Sequence, residues 1–363
     1  MNCSIDYFEN CVALLKSLIS TPSFSNEEDA VADIWEEWLK INGADVRRLK
    51  NNVYSISTFF DHSKPTLLLN SHLDTVKPSP SYTRNPFEPS IEGEKLYGLG
   101  SNDAGASGVS LAATFLSLKD KKDLPLNLIL AITASEEKMG EFGMRTFLPF
   151  LKDENLYPDM AIVGEPTGLN PAIAERGLVV LDGIVSGKAG HAARNEGVNA
   201  IYYALNDINV LKDFKFPNIS NLLGPIKVSV TMINAGTQHN VIPDKCEYVV
   251  DVRTTDAYSN EQTVKILQDA VKHSILTPRS TRINASVLDT RQPLYKAIEN
   301  LKLSPFISPT TSDMALLCDI PSLKIGPGDS ARSHSADEYI LLSEIKDALK
   351  LYPQLINNIK PTR

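Results

Sequence analysis

The chain has 363 residues, more than a single hydrophobic core keeps absorbing, so two domains are the natural expectation. Hydrophobic residues at 42% and charged residues at 22% are ordinary globular values and exclude a largely disordered chain. A formal charge of −8 with no basic stripe excludes a nucleic-acid groove, which needs clustered Lys and Arg to neutralise phosphates. No apolar run approaches the ~18 residues that span a bilayer. The first residues, with Asp6 and Glu9, lack the layout of a signal peptide. Cys3, Cys11, Cys246 and Cys318 have no CxxC spacing and read as reduced thiols, the last two in the core. Together these features predict a cytoplasmic protein with neither membrane nor nucleic acid as partner.

In chain order, the pattern predicts a helix over 5–19, ended by Thr21-Pro22-Ser23-Phe24. Ser25-Asn26-Glu27-Glu28 reads as a capping box opening a second helix. Its buried face is Val31, Ile34, Trp35 and Trp38, and Gly43 closes it. Strands are expected at 53–57 and 66–70. The latter is the first of three apolar runs that each lead into residues able to bind metal. Residues 66–70 lead to His72 and Asp74, 126–133 to Glu136 and Glu137, and 160–163 to Glu165. A helical run over 106–118 supplies the crossover between the first two, and ligands gather at the carboxyl ends of strands in such α/β sheets. From about residue 176 the order becomes βαββαβ, with strands at 179–185, 226–234, 246–253 and 282–287 and helices at 198–211 and 260–273. The fold expected is α/β in two domains: a first over 1–175 and 286–363, and an inserted ferredoxin-like domain over 176–285. A strand at 322–325 and a helix from Leu342 return to the first domain.

Taken singly, the candidate residues keep plain alternatives. His72 suits a metal, with Asp74 two residues on able to fix its tautomer, or is a satisfied strand-end histidine. Glu136 and Glu137 are a solvated pair, or one binds metal while the other moves protons. Asp103, in the glycine-rich stretch 98–105, suits a helix N-cap as well as a ligand, and no phosphate-loop spacing is present. His334 alone is an ordinary surface histidine, as are His62 and His273.

The segments SHLDTVKP (71–78), GLGSNDAGAS (98–107), SEEKMG (135–140), VGEPTG (163–168), GKAGHAARNEG (187–197), NAGTQHNVIPD (234–244) and RSHSADE (332–338) together resemble the M20 metallopeptidase family, over essentially the whole chain. The texture is most similar to its acetylornithine or succinylornithine deacylase branch. The resemblance implies that the first domain is a zinc-hydrolase-type three-layer αβα catalytic domain holding two Zn²⁺ ions, with Co²⁺ or Mn²⁺ as substitutes. His72 and Glu165 would hold one, Glu137 and His334 the other, and Asp103 would bridge them. It implies that Asp74 orients His72, that Glu136 is general base and acid, and that the peptide bond after Asp103 is cis. His191 would reach the neighbouring subunit's site to stabilise the oxyanion, which implies a homodimer through the inserted domain acting as lid. Asn240 and Arg253 resemble positions that hold a substrate carboxylate, although Arg253 also suits a surface ion pair. Arg176 is either a hinge-region surface residue or the partner of a succinyl carboxylate, and Ser312 is a candidate pocket wall. The expected activity is removal of an acetyl or succinyl group from an N²-acyl-L-ornithine in arginine biosynthesis. The rivals are succinyl-diaminopimelate desuccinylase, an acyl-lysine deacylase, a dipeptidase, or a metal-binding protein without catalysis.

Overall fold

A computed structural model describes residues 4–360, so Cys3 lies outside the described residues. The chain forms two compact units. The first takes the chain up to Ile173, Leu288–Ile307 and the chain from Ser312; the second takes Ala174–Val287 with Ser308–Thr311.

The first unit is built on a mixed sheet. Thr66–His72 lies parallel to both Asn127–Thr133 and Met160–Val163, and Ser322–Lys324 adds in parallel beside the latter. Asn52–Ile56 closes the other side antiparallel, followed by Val46–Leu49. All residues of Thr66–His72 and Asn127–Thr133 are buried, which explains the uninterrupted apolar stretches Leu67–Leu69 and Leu128–Ile132 within them. Alternation sends Leu67, Leu69, Leu128 and Leu130 into one layer and Leu68, Ile129 and Ala131 into the other. The first layer is roofed by the helices Ser4–Ile19, Asp29–Ile41, Ala106–Leu118, Pro293–Asn300 and Leu342–Asn358, the second by Met144–Asp153. Ala106–Leu118, small-residued and free of proline, is buried almost all round, as a central crossover helix must be.

The second unit is an antiparallel sheet in the order Lys227–Ala235, Lys245–Thr254, Gly177–Ser186, Ser274–Pro278, with the helices Ala200–Asp213 and Asn260–Ala270 on one face. Its last strand is not the 282–287 expected from sequence. Asp207, buried on the first of these helices, accepts the amides of Lys272, His273 and Ser274, so the second helix stops at Ala270 and the strand begins early. Pro278 is tolerated because this strand is at the edge. Of the thiols, Cys11 and Cys246 are buried, but Cys318 is exposed because it follows the short helix Asp313–Leu317 rather than lying within it. His62 and His273 are exposed. No helix among the described residues is long and apolar enough to cross a membrane.

Candidate metal centre

The parallel register brings His72 opposite Thr133 and Asn70 opposite Val163, so the residues after three strands emerge at one edge. Asp103 comes to the same edge from the turn before Ala106–Leu118. It is not a helix cap: the cap position is Gly105, and the Asp103 carboxylate faces the histidines. Its glycines serve close approach rather than phosphate. Gly100 has φ 75°, and a Cβ there would lie 2.7 Å from the Thr75 side chain. The Asp103–Ala104 peptide bond is cis.

Two groups of ligand atoms result, each with its members within 4.8 Å of one another: His72, Asp103 and Glu165, and Asp103, Glu137 and His334. Asp103 is common to both. Its Oδ1 lies 3.3 Å from His72 Nε2 and its Oδ2 lies 3.6 Å from His334 Nε2. His72 Nε2 is also 3.8 Å from Glu165 Oε1, and His334 Nε2 is 3.0 Å from Glu137 Oε2. His72, Asp103, Glu165 and Glu137 are largely enclosed, whereas the His334 side chain is 56% exposed.

The role expected of Asp74 needs correcting in one respect. His72 Nδ1 donates to the main-chain oxygen of Asp74 at 2.9 Å, while the Asp74 carboxylate is 3.6 Å away. That carboxylate instead accepts the amides of Glu136 (2.9 Å) and Glu137 (3.2 Å) and the Ser25 hydroxyl (2.7 Å). A carbonyl only accepts, so Nδ1 carries a proton and Nε2 is the ring nitrogen turned toward Asp103 and Glu165.

The electrostatics follow from acids crowded out of water. Burial drives Glu136 well above the usual carboxylate range; His72 opposes this, while Glu165, Asp313 and Glu137 add to it. Burial, with Asp103 also contributing, pushes Glu165 up to about 8 against the pull of His72 and Lys324. Burial favours neutral His72, yet Asp103 and Asp74 outweigh it and raise the imidazole well above its ordinary value. The Glu137 hydrogen bond raises His334 to about 9. Burial would raise Asp103, but His72, Ser333 and His334 hold it low. The cluster therefore carries more negative charge than its burial tolerates without bound cations or protons. Three acids and two imidazoles with no thiolate, gathered in two groups that share Asp103, fit a pair of divalent ions.

Glu338, which the sequence reading passed over, lies behind Asp103. It is 2% exposed and accepts from Gly100 N (3.1 Å), Asn102 N (2.8 Å) and Asp103 N (2.9 Å). Burial and the Asp103 charge push it up to about 8, opposed by these three amides. Its position four residues after His334 was the available signal. The expected capping box is also different in fact. The helix starts at Asp29, Ser25 donates to Asp74, and Glu28 accepts from Ser135 N (3.1 Å) and Ser135 Oγ (3.0 Å).

The remaining predicted residues are Ser312 in the first unit and Arg176, His191, Asn240 and Arg253 in the second. Ser312 is buried and accepts from Met314 N at 3.3 Å as the cap of Asp313–Leu317. In the second unit, Gly190–His191 pairs with Val241–Ile242, and Ala192 N donates to Asn240 O at 2.9 Å, which sets exposed His191 beside exposed Asn240. Arg253 forms a two-pronged pair with Asp251, at 2.8 and 3.1 Å. Arg176, expected as a possible partner of a succinyl carboxylate, donates instead to the main-chain oxygens of Pro225 (2.9 Å) and Leu223.

An α/β unit with two carboxylate–imidazole groups sharing one aspartate at its strand ends has the layout of a metallohydrolase. The chain belongs to peptidase family M20/M25/M40, whose model matches residues 68–358. It is similar to a succinyl-diaminopimelate desuccinylase of Wolbachia pipientis wMel, 26% identical over 374 residues, covering 96% of this chain and 92% of the relative. It is also similar to an acetylornithine deacetylase of Buchnera aphidicola subsp. Schizaphis graminum, 28% identical over 326 residues, covering 85% and 84%. Among solved structures it shares its fold with the YXEP protein of Bacillus subtilis, a dinuclear metal-binding peptidase of the M20 family. That match has a TM-score of 0.74 at 16% identity and covers 97% of this chain and 98% of the other.

Proposed function

We propose that this M20 metallohydrolase removes the acyl group from an N²-acyl-L-ornithine, acetyl or succinyl, with Zn²⁺ at both positions. The observation that carries the reading is Asp103 shared between two ligand groups with the buried acid Glu136 beside them. His72 and Glu165 would hold one ion, Glu137 and His334 the other, and Asp103 both. When bound, the two ions supply Lewis acidity that polarises an amide carbonyl and acidifies water. Glu136 takes the proton from the attacking water on its carboxylate and returns it to the leaving amine. Burial raises Glu136 above the ordinary carboxylate range, which favours the form that holds a proton. His191 is the candidate donor to the oxyanion and Asn240 a candidate contact for the substrate carboxylate, in a homodimer formed through the second unit. The relatives' names support the acyl-amino-acid class, and they include a desuccinylase of diaminopimelate as well as a deacetylase of ornithine.

Steady-state kinetics on N²-acetyl-L-ornithine, N²-succinyl-L-ornithine and N-succinyl-diaminopimelate, with added Zn²⁺, test the substrate. Highest kcat/KM on either ornithine derivative supports the reading, and preference for the diaminopimelate derivative overturns it. Glu136→Ala should retain two metal equivalents and lose turnover by roughly 10²–10⁴-fold; near-normal turnover would refute the assignment of the base.

A further inference from the structure

Three successive amides in the turn that presents Glu136 and Glu137 are all taken by buried carboxylates from distant parts of the chain. Glu28 Oε1 accepts from Ser135 N at 3.1 Å, Asp74 Oδ1 from Glu136 N at 2.9 Å, and Asp74 Oδ2 from Glu137 N at 3.2 Å. Such consecutive N–H groups form an anion-binding concavity, and here the protein fills it with its own acids. Glu28 is 1% exposed and reaches no candidate metal ligand through a hydrogen bond; its remaining partners are Ser135 Oγ (3.0 Å), Asn26 N (2.7 Å) and Asn51 Nδ2 (3.2 Å). Ser25 Oγ donates to Asp74 Oδ2 at 2.7 Å, fixing the second acid. Ser135 itself sits at φ 56°, a left-handed conformation uncommon for serine, which the bonds to its amide and hydroxyl hold in place. Both Ser25 and Glu28 precede residue 68, where the family match begins.

We propose that Ser25 and Glu28 are positioning residues for Glu136 and Glu137. The segment carrying them fixes the main chain of 135–137, so that neighbouring glutamates point one side chain at the metal positions and keep the other for proton transfer. The proposal rests on the reading of Glu136 as the proton carrier. Asp74 extends the device, because its main-chain oxygen accepts from His72 Nδ1 at 2.9 Å and thereby ties the turn to the imidazole. A glutamate has three side-chain torsions, and a displacement of its backbone is carried to its carboxylate. A misplacement of about 1 Å can cost on the order of 10²-fold in rate.

The test is hydrogen exchange of the 135–137 segment together with kcat, KM and metal content of the full-length protein, using the best substrate of the panel above. Glu28→Ala should speed exchange at 135–137 by roughly tenfold or more, with exchange in Ala106–Leu118 unchanged. It should lower kcat about 10–100-fold while KM and metal content stay within about twofold of wild type. Glu28→Gln turns an amide toward Asn51 Nδ2 and should lose activity; adding Asn51→Asp restores the outer hydrogen bond and should recover most of it. Ser25→Ala removes one hydroxyl, so it carries the test if Glu28→Ala does not fold, with the same local exchange signature and a loss of roughly 3–10-fold in kcat. Exchange that rises equally throughout the first unit, a loss carried by KM, or kcat within about twofold of wild type would overturn the proposal. Exchange reads the turn without any substrate, so an unreactive substrate panel would refute the substrate assignment and leave this inference standing or falling on its own measurement.

Discussion

Replacing Glu338 tests how the turn that presents Asp103 is held. Its two carboxylate oxygens divide the work: Oε1 accepts from Asn102 N (2.8 Å) and Asp103 N (2.9 Å), and Oε2 from Gly100 N (3.1 Å). Glu338→Ala leaves three amides in a buried region without acceptors. Each buried donor left unmade costs about 1–3 kcal/mol, so the simple sum is roughly 3–9 kcal/mol. Relaxation and entering water will recover part of it, and a loss of about 3–5 kcal/mol is expected. Glu338→Gln keeps one oxygen for Asn102 and Asp103 and sets an N–H₂ against the Gly100 amide, so about 1–3 kcal/mol should be lost. Urea denaturation of chelator-treated protein, followed by tryptophan fluorescence, measures this directly. Both tryptophans, Trp35 and Trp38, lie in the first unit and report on it. Removing metal matters because a ligand that binds only the folded state would mask the difference. A loss below about 1 kcal/mol for Glu338→Ala, or equal losses for the two variants, would refute the accounting of acceptors.

Other expectations follow from single contacts. Asp207→Asn should destabilise the second unit by about 1–3 kcal/mol, because one oxygen facing the Ser274 or Lys272 donors becomes an amide. Burial would raise the Asp207 carboxyl, but the Ser274 hydroxyl and the amides of 272–274 hold it below its ordinary value. A depressed pKa contributes stability above the unfolded value near ~3.9 and loses it as pH falls through the folded value. The gap between wild type and variant, read by calorimetry, should therefore hold above about pH 4 and shrink below it. Arg176→Ala should leave the ratio of rates on acetyl- and succinyl-ornithine unchanged and cost about 1–3 kcal/mol of stability through the lost bonds to Pro225 and Leu223; a changed ratio in the kinetic panel would restore Arg176 as a substrate contact. Gly326→Ala would place a Cβ 2.4 Å from the Glu165 main-chain oxygen and 2.3 Å from Ser107 Oγ. Overpacking of this kind costs about 1–3 kcal/mol and should shift Glu165, seen as weaker metal binding by equilibrium dialysis; unaltered affinity would contradict it.

Much of the first unit was legible because its signals are local. The buried strands 66–72 and 127–133 carry the apolar cores Leu67–Leu69 and Leu128–Ile132, and the helix Ala106–Leu118 is a proline-free stretch of small and apolar residues. What sequence could not reveal is the partner a polar residue finds far along the chain. Ser25 and Glu28 have the identity and spacing of a capping box, yet their partners are Asp74 and Ser135, 49 and 107 residues away. Arg176 offers the same guanidinium whether it meets a substrate carboxylate or two main-chain oxygens. The end of the second helix in the inserted unit was missed for the same reason: its stop signal is Asp207, on another element. Glu338 carries no local signal beside Asp337, because the amides that converge on it belong to the Asp103 turn more than 230 residues earlier.

The strand Ser322–Lys324 lies between Met160–Val163 and Ala172–Glu175 in the sheet, although it is made about 160 residues after the first of them. At roughly 5–20 residues per second, a ribosome needs on the order of 10–30 s to cover that distance. Through this interval Met160–Val163 has no neighbour on one side, and its unpaired amides and carbonyls are open to chaperones or to other nascent chains. The second unit, by contrast, has nearly all of its own sequence by Val287 and can begin folding while the first still waits. His334 emerges later still, so the group of Asp103, Glu137 and His334 is completed after the group of His72, Asp103 and Glu165, whose members all precede the second unit. The two halves of the centre are thus separated in synthesis by the whole of the second unit, and the later half closes only after the strand that seals the sheet.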